Sequence, residues 1–201
     1  MPQRVANAEQ SRRTREALLR AARDLFADPG YGATGTEQIV ARAGLTRGAL
    51  YHHFRDKREL FEAVVETVER DLAAELAAGV AGPGEPAALL RAAARRFLEI
   101  CQRPEVRRIT LLDAPSVLGW AKWREIDGRH GLGLLRGLLR LAAERGLIDV
   151  EAVEPLSHLF LGAVVEAALA IAHAPGEPAV ERRMLESIEW LIDRMLTAPP
   201  R

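Results

Sequence analysis

Residues 34–61, TGTEQIVARAGLTRGALYHHFRDKRELF, constrain the fold most: two short amphipathic segments meet at a single glycine, and a third helix start follows directly behind them. Thr34 followed by Glu37 fits a capping box, so the first helix is expected from about Gly35. Ile39, Val40 and Ala43 lie three and four apart on one apolar face, and Gly44 can take the left-handed conformation that ends a helix. Leu45 plugs the corner and Thr46 caps the second segment. There Leu50 and Phe54, at i and i+4, point inward and leave Arg47, Gly48, Ala49, Tyr51, His52 and His53 on the other face. Asp56 and Glu59 fit another capping box, which puts Lys57 in the first turn of the next helix. A cation there opposes the helix dipole. A phosphate drawn in by the amine and the exposed backbone amides explains the placement.

An upstream helix, roughly residues 11–27, carries Leu18, Leu19, Ala22, Leu25 and Phe26 at helical spacing, enough to close a three-helix core, and Asp28-Pro-Gly-Tyr-Gly ends it. Charge is unevenly spread. Residues 1–60 hold 11 Lys+Arg against 7 Asp+Glu, +4, and residues 61–201 hold 17 against 21, −4, so a net charge of zero hides a basic N-terminal part. That is the electrostatic footprint of a segment that meets phosphates. Together these features read as a DNA-binding helix-turn-helix. Arg4, Arg12, Arg13 and Arg15 form a basic arm that enters the minor groove, touches the backbone, or is simply a solvated terminus. His52 and His53 make poor metal ligands, because adjacent helical residues point about 100° apart and no Cys or His partner lies close in sequence. No metal and no cofactor is expected.

The order GYGATGTEQIVARAGLTRGALYHHFRDKRELF, behind a helix ending in DLFADPG, resembles the tetracycline-repressor-like (TetR) family of bacterial transcription regulators over roughly residues 12–65. The C-terminal two thirds resemble it in general plan only. The resemblance implies an N-terminal helix-turn-helix domain, residues 1–55, and a helical effector-binding and dimerisation domain, residues 56–201. It implies a regulator, by default a repressor, that binds a near-palindromic double-stranded DNA operator as a homodimer and responds to a small-molecule effector. In the family the effector tilts the helix connecting the two domains. Thr36, Tyr51 and Lys57 fall at phosphate contacts, Arg47, Gly48, Ala49 and His52 at base-reading positions, and His53 nearer the backbone-contacting end; Thr46 joins this set as the cap. Arg47 can reach guanine O6 and N7, Gly48 and Ala49 permit close approach, and the alanine methyl can meet a thymine methyl. Gly48 has the alternative of no role at all.

Downstream, one helix over about 57–78 uses Leu60, Phe61, Val64, Val68 and Leu72 as its inward stripe, and GVAGPGEP follows as a loop. Further helices are expected at about 86–102, 104–113, 117–145, 151–173 and 178–197, with no alternating strand pattern, so the fold is all-α with about nine helices. Gly128, Gly131 and Gly133 either break the long segment or let another backbone or a ligand approach. Leu159 to Ala172 is apolar nearly all round, and Met184, Ile188, Leu191 and Met195 make a 4-3-4 seam. With Leu159, Ala163 and Ala167 these residues are the expected homodimer interface.

Pocket-lining candidates are Asp113, Trp120, Trp123, His130, His158, Phe160 and Glu166, each also explicable as structural. Glu166, inside an apolar helix, either meets a cationic or hydroxylated effector or pairs with an arginine such as Arg107 or Arg136. An enzyme is not expected: His158 and His173, on one helix, stand roughly 22 Å apart, and the chain has no Gly-rich phosphate loop and no G-x-S-x-G elbow. A helical protein-interaction module that never meets DNA is the alternative. The N-terminus has no apolar signal region, the stretch 159–172 is short for a bilayer span and holds Glu166, and the lone Cys101 has no intrachain partner. A cytoplasmic protein with no membrane partner is expected.

Overall fold

In the computed structural model, which describes residues 2–80 and 82–197 and the side chains of 7–80 and 82–196, nine helices and no strand occur among the described residues. They are α1 (Pro2–Ala27), α2 (Thr36–Ala43), α3 (Arg47–His53), α4 (Lys57–Gly79), α5 (Pro86–Cys101), α6 (Pro104–Val106, Arg107–Asp113 and Ala114–Leu118 in unbroken succession), α7 (Trp120–Glu144), α8 (Val153–His173, behind a 3₁₀ turn at Val150–Ala152) and α9 (Pro178–Thr197). The all-α expectation and the helix count hold.

The N-terminal three helices close on Leu18, Ala22, Phe26, Ile39, Leu50 and Phe54, all buried. Helix α1 starts at Pro2, well before the expected residue 11, so Glu9 lies on the same helix as Arg12 and Arg13 and pairs with both. The Arg4 side chain lies outside the described residues. Gly44 is left-handed (φ 66°) and turns the chain, and the Thr46 hydroxyl accepts from the Ala49 amide at 3.2 Å, as expected. The cap of α2 differs from expectation. Thr34 is buried and its hydroxyl donates to the carbonyls of Leu25 and Gly30, so Gly35 takes the N-cap position and Gln38, not Glu37, reaches back to its amide at 2.6 Å. At α4 half of the expected box is present: Asp56 accepts from the Glu59 amide, and the Glu59 carboxylate goes instead to the amide and guanidinium of Arg55.

Lys57 has a different occupation from the one its charge suggested. Its ammonium donates to the carbonyls of Tyr31 and Thr34, both at 2.9 Å, and stands 4.0 Å from the centre of the Tyr31 ring. That ring packs with Phe26 and Phe61, whose own rings meet edge-on at 5.1 Å. Thus the dipole cost of a cation in the first turn of α4 is offset by two charge-assisted hydrogen bonds and a cation–π contact.

In the bundle, α4 packs against α1, α5 and α7, and α8 lies against α5, α7 and α9. Helix α6 widens over Arg107–Asp113, where the Ala114 amide bonds five residues back to Ile109. Pro115 follows, and a proline ring crowds the carbonyl four residues before it, so the wider turn relieves that clash. The long segment breaks at Gly119, whose φ of 83° and ψ of 153° suit glycine, and not at Gly128, Gly131 or Gly133. Gly131 matters for packing: a Cβ there would come within 2.9 Å of Leu161. By length and composition alone Val150–His173 is long and apolar enough to cross a bilayer, and half of its most apolar stretch is buried inside this chain, as in a core helix of a bundle.

Replacing Lys57 with methionine keeps the stem and removes the charge. Urea unfolding is expected to give a loss of about 2 kcal/mol; an unchanged midpoint would show that the clasp on Tyr31 and Thr34 contributes nothing.

Candidate functional site

Helix α3 buries only Leu50. Arg47, Gly48, Tyr51 and His52 are exposed on it, Ala49 and His53 are half-buried, and Thr36 begins α2 alongside. Around Gly48 the only atom near an added Cβ would be the Thr46 hydroxyl, at 3.9 Å, so a flat surface can come close there. The Arg47 guanidinium lies 5.5 Å from the Tyr51 ring centre and 3.4 Å from the Glu37 carboxylate. Both partners of that ion pair are exposed, so it is weak and exchangeable. His53 sits against His52, with ring centres 5.1 Å apart, and burial, His52 and Arg15 all push its pKa down, so it stays neutral at physiological pH. Of the expected phosphate-contact positions, Tyr51 is exposed and Thr36 half-buried, whereas two of the three ammonium hydrogens of Lys57 are already engaged.

The N-terminal helices and the start of α4 are hung on the bundle at several places, among them Arg23 on α1, which pairs with Asp71 on α4 and Glu105 on α6. Asp113 accepts from the Tyr31 amide at 2.9 Å and from Arg108 at 3.2 Å, and Arg58 donates to the carbonyls of Val117 and Leu118. Between α4 and α7, Glu66 takes His130 at 2.7 Å and also Arg129, and Lys122 lies 3.3 Å from Glu62.

Within the bundle, α4, α5, α7 and α8 enclose a mostly apolar cavity of about 50 Å³. Leu72, Leu76, Phe97, Leu135, Phe160 and Val164 form its greasy walls, and Glu69, Asp127 and His130 are its titratable groups. His130 also lines a surface groove shared with Arg15, His53 and Glu66, so the His130–Glu66 bond stands between the cavity and the side of the N-terminal domain. Burial, with Asp127 and Glu66 nearby, pushes the Glu69 carboxyl up to about 8. Burial also raises Asp127, to about 6, although Arg124 at 2.5 Å pulls it down. The Cys101 thiol is buried and raised by burial, Glu69 and Asp127, which makes it an inert structural thiol.

Of the expected pocket residues only His130 and Phe160 line this cavity. Asp113 is a strut between domains, Trp123 is buried with its ring nitrogen unpartnered among the described residues, and Trp120 is 61% exposed against it at 4.9 Å. His158 is exposed beside Glu154. Glu166 is solvent-exposed, so the pairing expected for a buried carboxylate is not needed; Arg136 pairs with Glu154 instead. The two acids that do line the cavity were missed by sequence reasoning; the one signal is that Glu69 falls four after Val65 and three before Leu72, and Asp127 one turn after Trp123, all buried. Of the expected dimer residues, Leu159 and Leu191 are exposed, and Ala163, Met184 and Met195 are half-buried. Ala167 and Ile188, each 3% exposed, are corrected to the protomer's own core.

Glu69 makes stability depend on pH. The folded chain keeps this proton up to about pH 8, whereas an unfolded glutamate releases it near 4.5, so stability falls as pH rises through that window. Glu69→Gln is expected to remove up to about 1.4 kcal/mol per pH unit of that slope. Thermal melts of both proteins from pH 5 to 8 check this, and parallel curves would contradict it.

Comparison with known proteins agrees with this geometry. Residues 18–64 match the family described as bacterial regulatory proteins, tetR family, and residues 87–195 match the tetracyclin repressor-like C-terminal domain. The HTH-type transcriptional regulator AcrR of Shigella flexneri is 35% identical over 104 residues, 51% of this chain but only 48% of that relative, so the chain aligns with about half its length. The HTH-type transcriptional repressor AcnR of Corynebacterium diphtheriae is 27% identical over 187 residues, covering 92% of this chain and 94% of that one. A crystal structure of a TetR-family transcriptional regulator from Pectobacterium atrosepticum superposes with a TM-score of 0.84 at 33% identity, over 95% of this chain and 98% of that one. Two family matches that together take in both ends of the helical chain, and a relative alike over its whole length, agree with the capped hairpin and the bundle behind it: the chain belongs to the TetR family of bacterial regulatory proteins.

Proposed function

We propose that the protein is a ligand-responsive, sequence-specific DNA-binding transcriptional regulator, acting as a repressor in the cytoplasm. The observation that carries this reading is α3, a helix of seven residues that buries Leu50 alone and leaves Arg47, Gly48, Tyr51 and His52 exposed. Such a helix adds little to its own core, so its capping and turn are best explained by the surface it presents. Residues 1–55 read DNA and residues 56–201 hold the effector and the dimer contact. Arg47 reads a base edge in the major groove, with Gly48, Ala49 and His52 close to the base pairs. Thr36, Tyr51 and His53 contact the backbone, and Thr46 fixes the start of the helix. Lys57 offers its remaining hydrogen to a phosphate while holding Tyr31 in place.

The dimer forms through the exposed faces of α8 and α9. Leu159 is 69% exposed, and with Leu156, Ala163, Leu191 and Met195 it lines one apolar patch. Water contact on so many aliphatic groups is costly, and a two-fold copy of the same patch covers them. Two recognition helices then face half-sites roughly 34–36 Å apart. The effector enters the bundle cavity, bears on α4, and changes the angle at which α3 is offered.

Selection from randomised DNA with the full chain is expected to enrich a near-palindrome. On the selected site Arg47→Ala should cost about 1–3 kcal/mol and relax preference at particular base pairs; equal losses on specific and random DNA would remove Arg47 from the reading role. Enrichment of no motif sinks the proposal in favour of a protein-interaction module. Leu159→Glu is expected to yield monomers by analytical ultracentrifugation and to weaken operator binding at least tenfold; a variant that stays dimeric would place the interface elsewhere.

A further inference from the structure

The carboxyl of Glu69 is a feature the apolar cavity does not explain by itself. The residue is 8% exposed and lies on the cavity wall, and no hydrogen bond or ion pair reaches its side chain among the described residues. An acid in that position is costly compared with the leucines around it, unless something pairs with it. Asp127 projects into the same space from α7, bound on its other side by Arg124. Among the described residues no lysine or arginine lines the cavity, and its polar side chains are two carboxyls and the His130 ring.

We propose that this cavity binds the protonated nitrogen of a small lipophilic amine, held between Glu69 and Asp127 with its hydrocarbon part against Leu72, Phe97 and Phe160. The inference rests on the ligand-responsive reading above and names the class of ligand. Charge decides the class: a carboxylate ligand would bring a third acid to two, and an alcohol would satisfy one carboxyl and leave the other, whereas an ammonium group donates to both. Size limits it. About 50 Å³ holds a few water molecules, which is an ammonium head with a short stretch of carbon.

Binding is coupled to protons. The groups facing Glu69 are Glu66 on its own helix, Asp127 and His130 from α7, and the Cys101 thiol from α5, while α8 brings only Phe160, Leu161 and Val164. Burial keeps a proton on Glu69 up to about pH 8, so an arriving cation must displace it. Affinity therefore rises with pH toward that value, and each binding event releases protons to the buffer.

The test is isothermal titration of the full chain, without DNA, by n-alkylamines from ethyl to hexyl, with n-butanol and butyrate as neutral and anionic counterparts, in two buffers of different ionisation enthalpy. An amine of the series is expected to bind at least tenfold more tightly than butanol or butyrate, with a heat that differs between buffers. Glu69→Gln should lose at least tenfold of that affinity together with the buffer dependence; Asp127→Asn, a second isosteric change, should weaken it also. Butanol or butyrate binding as tightly as the amine, unaltered affinity in a folded Glu69→Gln protein, or no binding of any amine to a chain whose circular dichroism is intact would overturn the proposal. Affinity for the selected operator is measured separately. Amine binding with no change in operator affinity keeps the ligand class and sinks the regulatory reading, while operator binding without amine binding does the opposite.

Discussion

Helix α4 buries Leu60 and Phe61 among the N-terminal helices and Leu72 and Leu76 against the bundle cavity, so neither half of the molecule sets its position independently. From Lys57 to Glu69 is twelve residues on one continuous helix, about 18 Å along its axis. A helix is stiff over such a length, and a small displacement at Glu69 arrives at Lys57 as a change of angle. What it meets there is Tyr31, which gives its carbonyl to Lys57, its amide to Asp113 on α6, and its ring to Phe26 and Phe61. The turn is thus gripped from both α4 and α6. Motion of one relative to the other strains Tyr31, whose polar backbone groups are both committed, together with the bonds from Arg58 on α4 to Val117 and Leu118 on α6.

The ion pairs between α4 and α7 belong to the same argument. Glu62 and Glu66 hold Lys122, Arg129 and His130, and His130 faces the cavity on its other side. Exposed pairs of this kind contribute little to stability. The buried stripe of Leu60, Phe61, Val64, Val68 and Leu72 sets the rotation of α4 about its axis, these pairs agree with it from the outer side, and the same rotation turns Glu69 inward.

The hairpin was legible because its signals are local. Gly44, Thr46, Leu50 and Phe54 act within one or two turns, and nothing distant competes with them. Where a distant group does compete, local reasoning misled or fell short: Thr34 had a good capping hydroxyl, but carbonyls of the preceding turn claimed it, and nothing near Lys57 in sequence announced that Tyr31 and Thr34 would take two of its three hydrogens. The cavity was hardest to read. Glu69 sits in the run Glu66-Thr-Val-Glu-Arg-Asp, where acids on an exposed face are ordinary, and only the arrival of α5 and α7 turns that face into an interior. Glu166 shows the reverse error, since a helix apolar all round suggests burial all round, and α8 keeps one side open.

The loose pairing of Arg47 with Glu37 bears on how such a protein finds its site among a vast excess of other DNA. An arginine that already has an anion beside it gains less from any passing phosphate than a free one would, because the first contact must displace the carboxylate. The penalty is the same everywhere along a duplex, and only a base pair that offers a bidentate partner repays it. On the proposal that Arg47 reads a base edge, Glu37 adds a small penalty that is the same on every sequence, which shortens each stop on unrelated DNA and leaves the molecule free to sample more of the chromosome between productive encounters.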